Sequence, residues 1–137
     1  GAAIFLADLI RELRIPLELD FIKVSSYLSG DKSSGRVRIF ETGSLDIKAK
    51  DVIIVEDIVD TGLTLRRILQ RLRPYKPKSL EVCVLLDKKD NRKVDLRLKY
   101  IGFEIPNIFV VGYGLDFVNR YRNIPYIGVL NGRSRKS

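Results

Sequence analysis

Val52-Ile53-Ile54-Val55-Glu56-Asp57-Ile58-Val59-Asp60-Thr61-Gly62-Leu63-Thr64-Leu65 decides the fold. Its first four residues are branched and apolar, which predicts a strand over 52–55 buried on both faces, as in a parallel sheet. Glu56 and Asp57 stand where that strand is expected to end. The turn Asp60-Thr61-Gly62-Leu63-Thr64 then opens a helix over 62–73, with Leu65, Ile68, Leu69 and Leu72 on one face. Backbone N–H groups of the turn and the Thr61 and Thr64 hydroxyls suit a phosphate at the positive end of that helix. Gly62 permits close backbone approach and an unusual backbone angle. Glu56 and Asp57 suit the vicinal hydroxyls of a sugar or a divalent cation, and Asp60 is placed to exchange a proton. The set as a whole suits a phosphorylated ribose. A plain strand–turn–helix with a Thr or Asp N-cap has the same outline. Two adjacent acids at a strand end, however, repel each other unless a ligand or cation answers them.

The rest of the chain bounds the reading. Its 137 residues suit one domain, 1–137, with a real core, and 45% apolar with 31% charged residues is a globular composition. No apolar run approaches the ~20 residues of a membrane span. No secretory signal is visible and one cysteine cannot form an internal disulfide, so a reducing cytoplasm is the expected compartment. Cys83, in Val82-Cys83-Val84-Leu85-Leu86, reads as a buried small apolar residue. The absence of histidine removes His general bases, Ser-His and Cys-His pairs and His metal sites. The net charge of +8 raises nucleic acid as a partner. Much of it is Arg66, Arg67, Arg71 and Arg73 on the helix after the turn, and Arg133, Arg135 and Lys136 in a polar tail. A solvated helix face and a frayed end account for these charges, and a basic surface also attracts anionic nucleotides. Neither nucleic acid nor membrane is therefore an expected partner.

Along the chain, apolar residues at helical spacing predict a helix over 3–13, ended by Arg14-Ile15-Pro16. Leu17 to Tyr27 and Val37 to Phe40 read as strands of a hairpin around the polar stretch Ser29 to Gly35. Pro74 and Pro77 stop the second helix. A strand over 81–86, a charged loop from Asp87 to Asp95, and strands at Tyr100–Phe103, Phe109–Tyr113 and Tyr126–Leu130 follow. Strands interleaved with helices predict an α/β parallel sheet. Function would then sit at the carboxyl ends of its strands, after 52–55, 81–86 and 109–113. With no methionine and a helix starting directly after Gly1-Ala2-Ala3, the chain is expected to lack N-terminal sequence.

The quoted stretch resembles the phosphoribosyl-pyrophosphate (PRPP) binding signature of the type I phosphoribosyltransferases: apolar strand, acid pair, two apolar residues, Asp-Thr-Gly-x-Thr. Val59-Asp60-Thr61-Gly62 also matches the catalytic turn of aspartic proteases. That turn lies in an all-β fold and needs a second copy; no second Asp-Thr-Gly occurs here, though a homodimer could supply one, and the next segment is helical in pattern, which disfavours the protease. Beyond the signature, several segments resemble the hypoxanthine-guanine phosphoribosyltransferases in order: Ser26-Tyr27, Leu85-Leu86-Asp87-Lys88-Lys89, Tyr100 to Pro106, Phe109 to Phe117, and Tyr121-Arg122. The similarity spans nearly the whole chain.

The resemblance implies a type I phosphoribosyltransferase core: a parallel sheet, flanking helices and a flexible β-hairpin loop. It implies magnesium-dependent transfer of 5-phosphoribosyl from PRPP to hypoxanthine or guanine, giving IMP or GMP and pyrophosphate, by a homodimer or homotetramer. By position, Glu56 and Asp57 would meet the PRPP ribose and, with Asp116, the Mg2+. Asp60, Thr61, Gly62, Leu63 and Thr64 would hold the 5′-phosphate, with Asp60 as general base. Lys88 would donate to the purine 6-oxo group, Phe109 would stack on the base, and Val110 and Asp116 would meet its edge. Gly1 and Arg122 would take the pyrophosphate, and Ser26 and Tyr27 would begin the flexible loop. Taken singly, each has a plainer reading: Phe109 as core, Lys88 as a solvated charge, Asp116 as a helix cap. Gly1 matches the last residue of the family's Leu-Lys-Gly turn, so the preceding strand, that lysine and part of the hood fall outside this chain. A PRPP-responsive regulator on the same fold is the alternative, and the presence of Lys88, Phe109 and Asp116 favours the enzyme.

Overall fold

In a computed structural model, residues 1–26, 37–41 and 46–130 are described. They form α1 (Ala3–Glu12), β1 (Ile22–Ser26), β2 (Val37–Glu41), β3 (Asp51–Val59), α2 (Leu63–Leu72), β4 (Ser79–Asp87), β5 (Tyr100–Glu104), β6 (Val110–Val111) and β7 (Gly128–Val129). Two compact units share the chain. One comprises 1–14, 53–62 and 81–137, and the other 15–52 and 63–80.

In the second unit, β1 and β2 form the antiparallel hairpin, from Ile22 opposite Glu41 to Ser26 opposite Val37. The expected strand from Leu17 is shorter than its pattern. Residues 15–21 have no regular structure, and Leu17, Leu19 and Phe21 are exposed. Among the described residues, β1 pairs with the five residues of β2. The connection 27–36, including the predicted loop Ser29–Gly35, lies outside the described residues. In α2, Leu65, Ile68 and Leu72 are almost completely buried while Leu69 is half-buried. The i, i+3, i+7 stripe thus forms as patterned. Arg73–Tyr75 add a 3-10 turn around Pro74, and Lys76 takes a left-handed conformation (φ 54°) that ends the segment.

The first unit contains most of the sheet β3-β4-β5. β4 and β5 run parallel, with Cys83 opposite Tyr100 and Asp87 opposite Glu104. β3 runs parallel to β4 as well: the Lys78 N–H donates to Lys50 O at one end (2.8 Å) and the Lys88 N–H to Val59 O at the other (2.9 Å). Val82, Val84 and Leu86 alternate along β4 and are buried, as expected of the central strand. Leu86 also joins Val110 and Leu115 in a core packed by Ile58, Leu85, Ile105, Ile108 and Ile127.

Several expectations are corrected here. Residues 52–55 are not buried on both faces: Ile53 is 51% exposed, because β3 is an edge strand among the described residues. The strand also continues through Glu56 and Asp57 to Val59, so the acid pair lies within it and not at its end. Cys83 is half-buried. The strands at 109–113 and 126–130 shrink to β6 and β7, which pair antiparallel with each other and not with the parallel sheet. The chain between them folds instead into tight turns. In Gly112-Tyr113-Gly114-Leu115 the outer residues exchange two 3.0 Å hydrogen bonds, with φ of 52° at Tyr113 and 96° at Gly114. This is the type I′ hairpin geometry.

Candidate active site

Most of the singled-out residues belong to the first unit; Leu63, Thr64, Ser26 and Tyr27 belong to the second. Ser26 ends β1, Tyr27 lies outside the described residues, and Leu63 and Thr64 open α2.

Within the first unit, the turn after β3 is held from one side by the segment after β4. The Lys93 N–H donates to Thr61 O at 2.9 Å. Gly62 has φ of +77°, and a Cβ there would sit 2.7 Å from Leu96 Cδ1 and 3.0 Å from Val94 Cγ2. The turn therefore needs glycine twice, for its left-handed backbone and for the two methyl groups pressed against it. Asp60 accepts a hydrogen bond from Asn91 Nδ2, and its Oδ2 lies 3.7 Å from Lys88 Nζ. The Asp60 side chain is half-exposed while Lys88 is only 7% exposed. A solvated loop lysine would not be enclosed in this way, so that plain reading of Lys88 fails.

Glu56 and Asp57 sit in a confined place. Burial, and secondarily the charge of Asp57, raise the Glu56 carboxyl from the ordinary 4.5 to about 7, against a weaker pull from the Gly1 ammonium. Asp57 accepts from the Ile58 N–H at 2.9 Å, and the Gly1 nitrogen lies 3.9 Å from its Oδ2. Any side chain at position 1 would collide with the Asp57 carboxylate, so the two fit only because residue 1 is glycine.

Phe109 is half-exposed and meets Phe117 edge-to-face, with ring centroids 5.6 Å apart. One face of an aromatic braced this way is available to a flat ligand. Val110 is buried, but its backbone is oriented by the ladder. The Leu130 N–H donates to Phe109 O (2.9 Å), so 109 and 130 are a hydrogen-bonded pair. Val110 and Val129, next in register, then form a non-hydrogen-bonded pair, and the N–H and C=O of Val110 point away from β7. Asp116 and Arg122 meet directly, with Nη2 2.9 Å from Oδ1. Arg122 also donates to Gly114 O (2.7 Å), and Asp116 accepts from the Asn119 N–H (2.8 Å). Among the described residues no three Asp, Glu, Cys or His side chains gather to hold a metal ion, so Glu56, Asp57 and Asp116 do not form a cage by themselves.

Sequence reading missed several partners. Asp87, the last residue of β4, is fully buried and paired with Arg92. Asn91 reaches Asp60, and the Tyr113 hydroxyl donates to Asp8 of α1. The run Asp87 to Asp95 is so rich in charge that it reads as solvated loop, and only the five-residue spacing of Asp87 and Arg92 hinted at a closed turn. No helix among the described residues is long and apolar enough to cross a membrane.

Within the first unit, an acid pair, a glycine turn and a buried lysine beside the turn's aspartate come together. Comparison with known proteins places the chain in a family. Residues 1–118 match the phosphoribosyl transferase domain model. The hypoxanthine-guanine phosphoribosyltransferase of Bacillus subtilis is 48% identical over 130 residues, 95% of this chain and 72% of that protein. That of Mycobacterium avium is 51% identical over 133 residues, 97% of this chain and 66% of that protein. A crystal structure of a hypoxanthine phosphoribosyltransferase from Staphylococcus aureus superposes with a TM-score of 0.91 at 47% identity, covering 100% of this chain and 74% of that one. The chain belongs to the phosphoribosyl transferase domain family, in its hypoxanthine-guanine phosphoribosyltransferase branch.

Proposed function

We propose that the protein transfers the 5-phosphoribosyl group of PRPP to N9 of hypoxanthine or guanine, releasing IMP or GMP and pyrophosphate. The observation that carries this reading is the buried Lys88 ammonium 3.7 Å from Asp60 at the glycine turn. It supports a base site and a proton acceptor side by side, next to a cradle for phosphate. Purine N9 forms its bond to the anomeric carbon as the bond to pyrophosphate breaks, and the leaving group departs with the electron pair. The purine N7 proton passes to an Asp60 oxygen. Positive charge builds on the ribose ring, where the carboxylates of Glu56 and Asp57 meet the sugar hydroxyls. Lys88 donates to the 6-oxo group, Phe109 stacks on the base, and the outward-facing Val110 backbone reads its edge. Thr61, Gly62, Leu63 and Thr64 take the 5′-phosphate at the start of α2, and Ser26 and Tyr27 correspond to the start of the family's loop. Arg122 and the close-packed Gly1 backbone receive the pyrophosphate.

Magnesium fits this donor set. Carboxylate oxygens are hard ligands, and Mg2+ is usually held by one or two carboxylates together with substrate phosphates and not by an all-protein cage. One or two of Glu56, Asp57 and Asp116 would hold it together with the substrate phosphates, and when bound it supplies positive charge against the leaving pyrophosphate. Incubating the full-length protein with PRPP, Mg2+ and either base, and following nucleotide by chromatography, tests the reading. Formation of IMP and GMP is expected; formation of neither refutes it.

A further inference from the structure

The buried ion pair at the end of β4 has no part in the chemistry above. Asp87 is 0% exposed, and the Arg92 side chain that meets it is 16% exposed. Arg92 Nε donates to Asp87 Oδ1 at 2.9 Å and Nη2 donates to Oδ2, a two-pronged contact. The third guanidinium nitrogen, Nη1, donates to Leu96 O at 3.2 Å. One planar group thus fixes the start, middle and end of the loop 87–96 relative to one another.

That loop also touches four consecutive residues, Val59 at the end of β3 and the three residues of the turn after it. The Lys88 N–H binds Val59 O, the Lys88 and Asn91 side chains reach Asp60, the Lys93 N–H binds Thr61 O, and Val94 and Leu96 press on Gly62. Burying charge is a poor means of gaining stability, since apolar residues of similar volume serve as well or better. A bidentate guanidinium–carboxylate contact does supply direction, because both planes must align.

We propose that Asp87 and Arg92 are positioning residues that lock the Lys88 loop to the 59–62 turn, so that the base site and the phosphate site are set by one element. This rests on the functional reading above, in which Lys88 meets the base and the turn meets the 5′-phosphate. A slack loop displaces both contacts together, and KM for purine and for PRPP rise in concert while the Asp60 proton transfer persists.

Two variants of the full-length protein test it. Arg92→Lys keeps the charge but loses the fork, and Asp87→Leu/Arg92→Met replaces the pair with apolar volume. In both, KM for hypoxanthine and KM for PRPP should each rise about tenfold, less than the ~100-fold that an ångström of misplacement can cost, with kcat changed by less than about threefold. The apolar double variant should keep the wild-type urea midpoint, which separates positioning from stability. Wild-type KM values in either folded variant overturn the proposal. So does a rise in KM for one substrate alone, or failure of both variants to fold, which would make the pair a stability element. An unmutated protein without transferase activity would instead overturn the functional reading.

Discussion

Replacing Glu56 by glutamine should make the protein more stable, and only above a certain pH. The Glu56 carboxyl is raised from 4.5 to about 7 by burial and by the adjacent Asp57 charge. The folded protein therefore holds a proton that the unfolded chain has lost. In that window folding takes up a proton, and stability falls as pH rises from about 4.5 to about 7. A difference of about 2.5 pH units at ~1.4 kcal/mol each gives roughly 3 kcal/mol lost by pH 8. Glutamine keeps the shape and remains neutral at every pH. The variant should match the wild type near pH 4.5 and exceed it by roughly 3 kcal/mol at pH 8. Urea unfolding of both proteins at pH 4.5, 6, 7 and 8 measures this, and other titrating groups largely cancel in the difference. A difference that stays constant across that range would show that Glu56 ionises normally, and that its burial is relieved by water or by movement of β3.

Three further outcomes are expected. Asp60→Asn keeps the Asn91 contact sterically but cannot accept a proton, so turnover should fall by ~10²–10⁴-fold with PRPP affinity largely kept; unchanged turnover would reduce Asp60 to a structural role. Gly62→Ala places a methyl 2.7 Å from Leu96 at φ +77° and should cost about 1–3 kcal/mol in urea unfolding; a neutral effect would mean that the 94–96 segment yields freely. Adenine should be used ~10⁴-fold less efficiently than hypoxanthine, because its 6-amino group sets a second donor against the buried Lys88 ammonium where the 6-oxo group sets an acceptor; comparable kcat/KM for the two bases would remove Lys88 from the 6-position.

The fold was readable where local pattern and tertiary context agree. α2 and β4 carry periodicities that their surroundings honour: Leu65, Ile68 and Leu72 on one face of the helix, Val82, Val84 and Leu86 on one face of the strand. Pattern misled where the partner, and not the segment, sets the outcome. Val52 to Val55 are as apolar as any central strand, yet β3 is an edge among the described strands and Ile53 faces outward. Leu17, Leu19 and Phe21 alternate like a strand, but among the described residues the strand begins only at Ile22. In the stretch 109–130, the strands read at Phe109–Tyr113 and Tyr126–Leu130 are cut to two residues each. Positive φ at Tyr113, Val118, Asn119 and Tyr121, none of them glycine, breaks it into turns that no propensity predicts.

What the sequence offers of the candidate site is a set of residue types at fixed spacing. What was not legible is how those groups are enclosed. Lys88 and Asp87 are adjacent in a run of charges, and sequence gives no reason to treat either as buried. In the fold both are, for different reasons. Asp87 is enclosed because Arg92 returns to neutralise it across a short 3-10 turn, Lys89–Asn91. Lys88 is enclosed because its backbone continues the β3–β4 ladder at Val59, which leaves its ammonium facing Asp60. A lysine held in this position keeps its charge at a fixed point, whereas a solvated one samples a volume several ångströms across. In the proposed function, base selection by a 6-oxo group uses that fixed point. The acidic and basic residues that made the loop look like surface are therefore the ones that make it rigid.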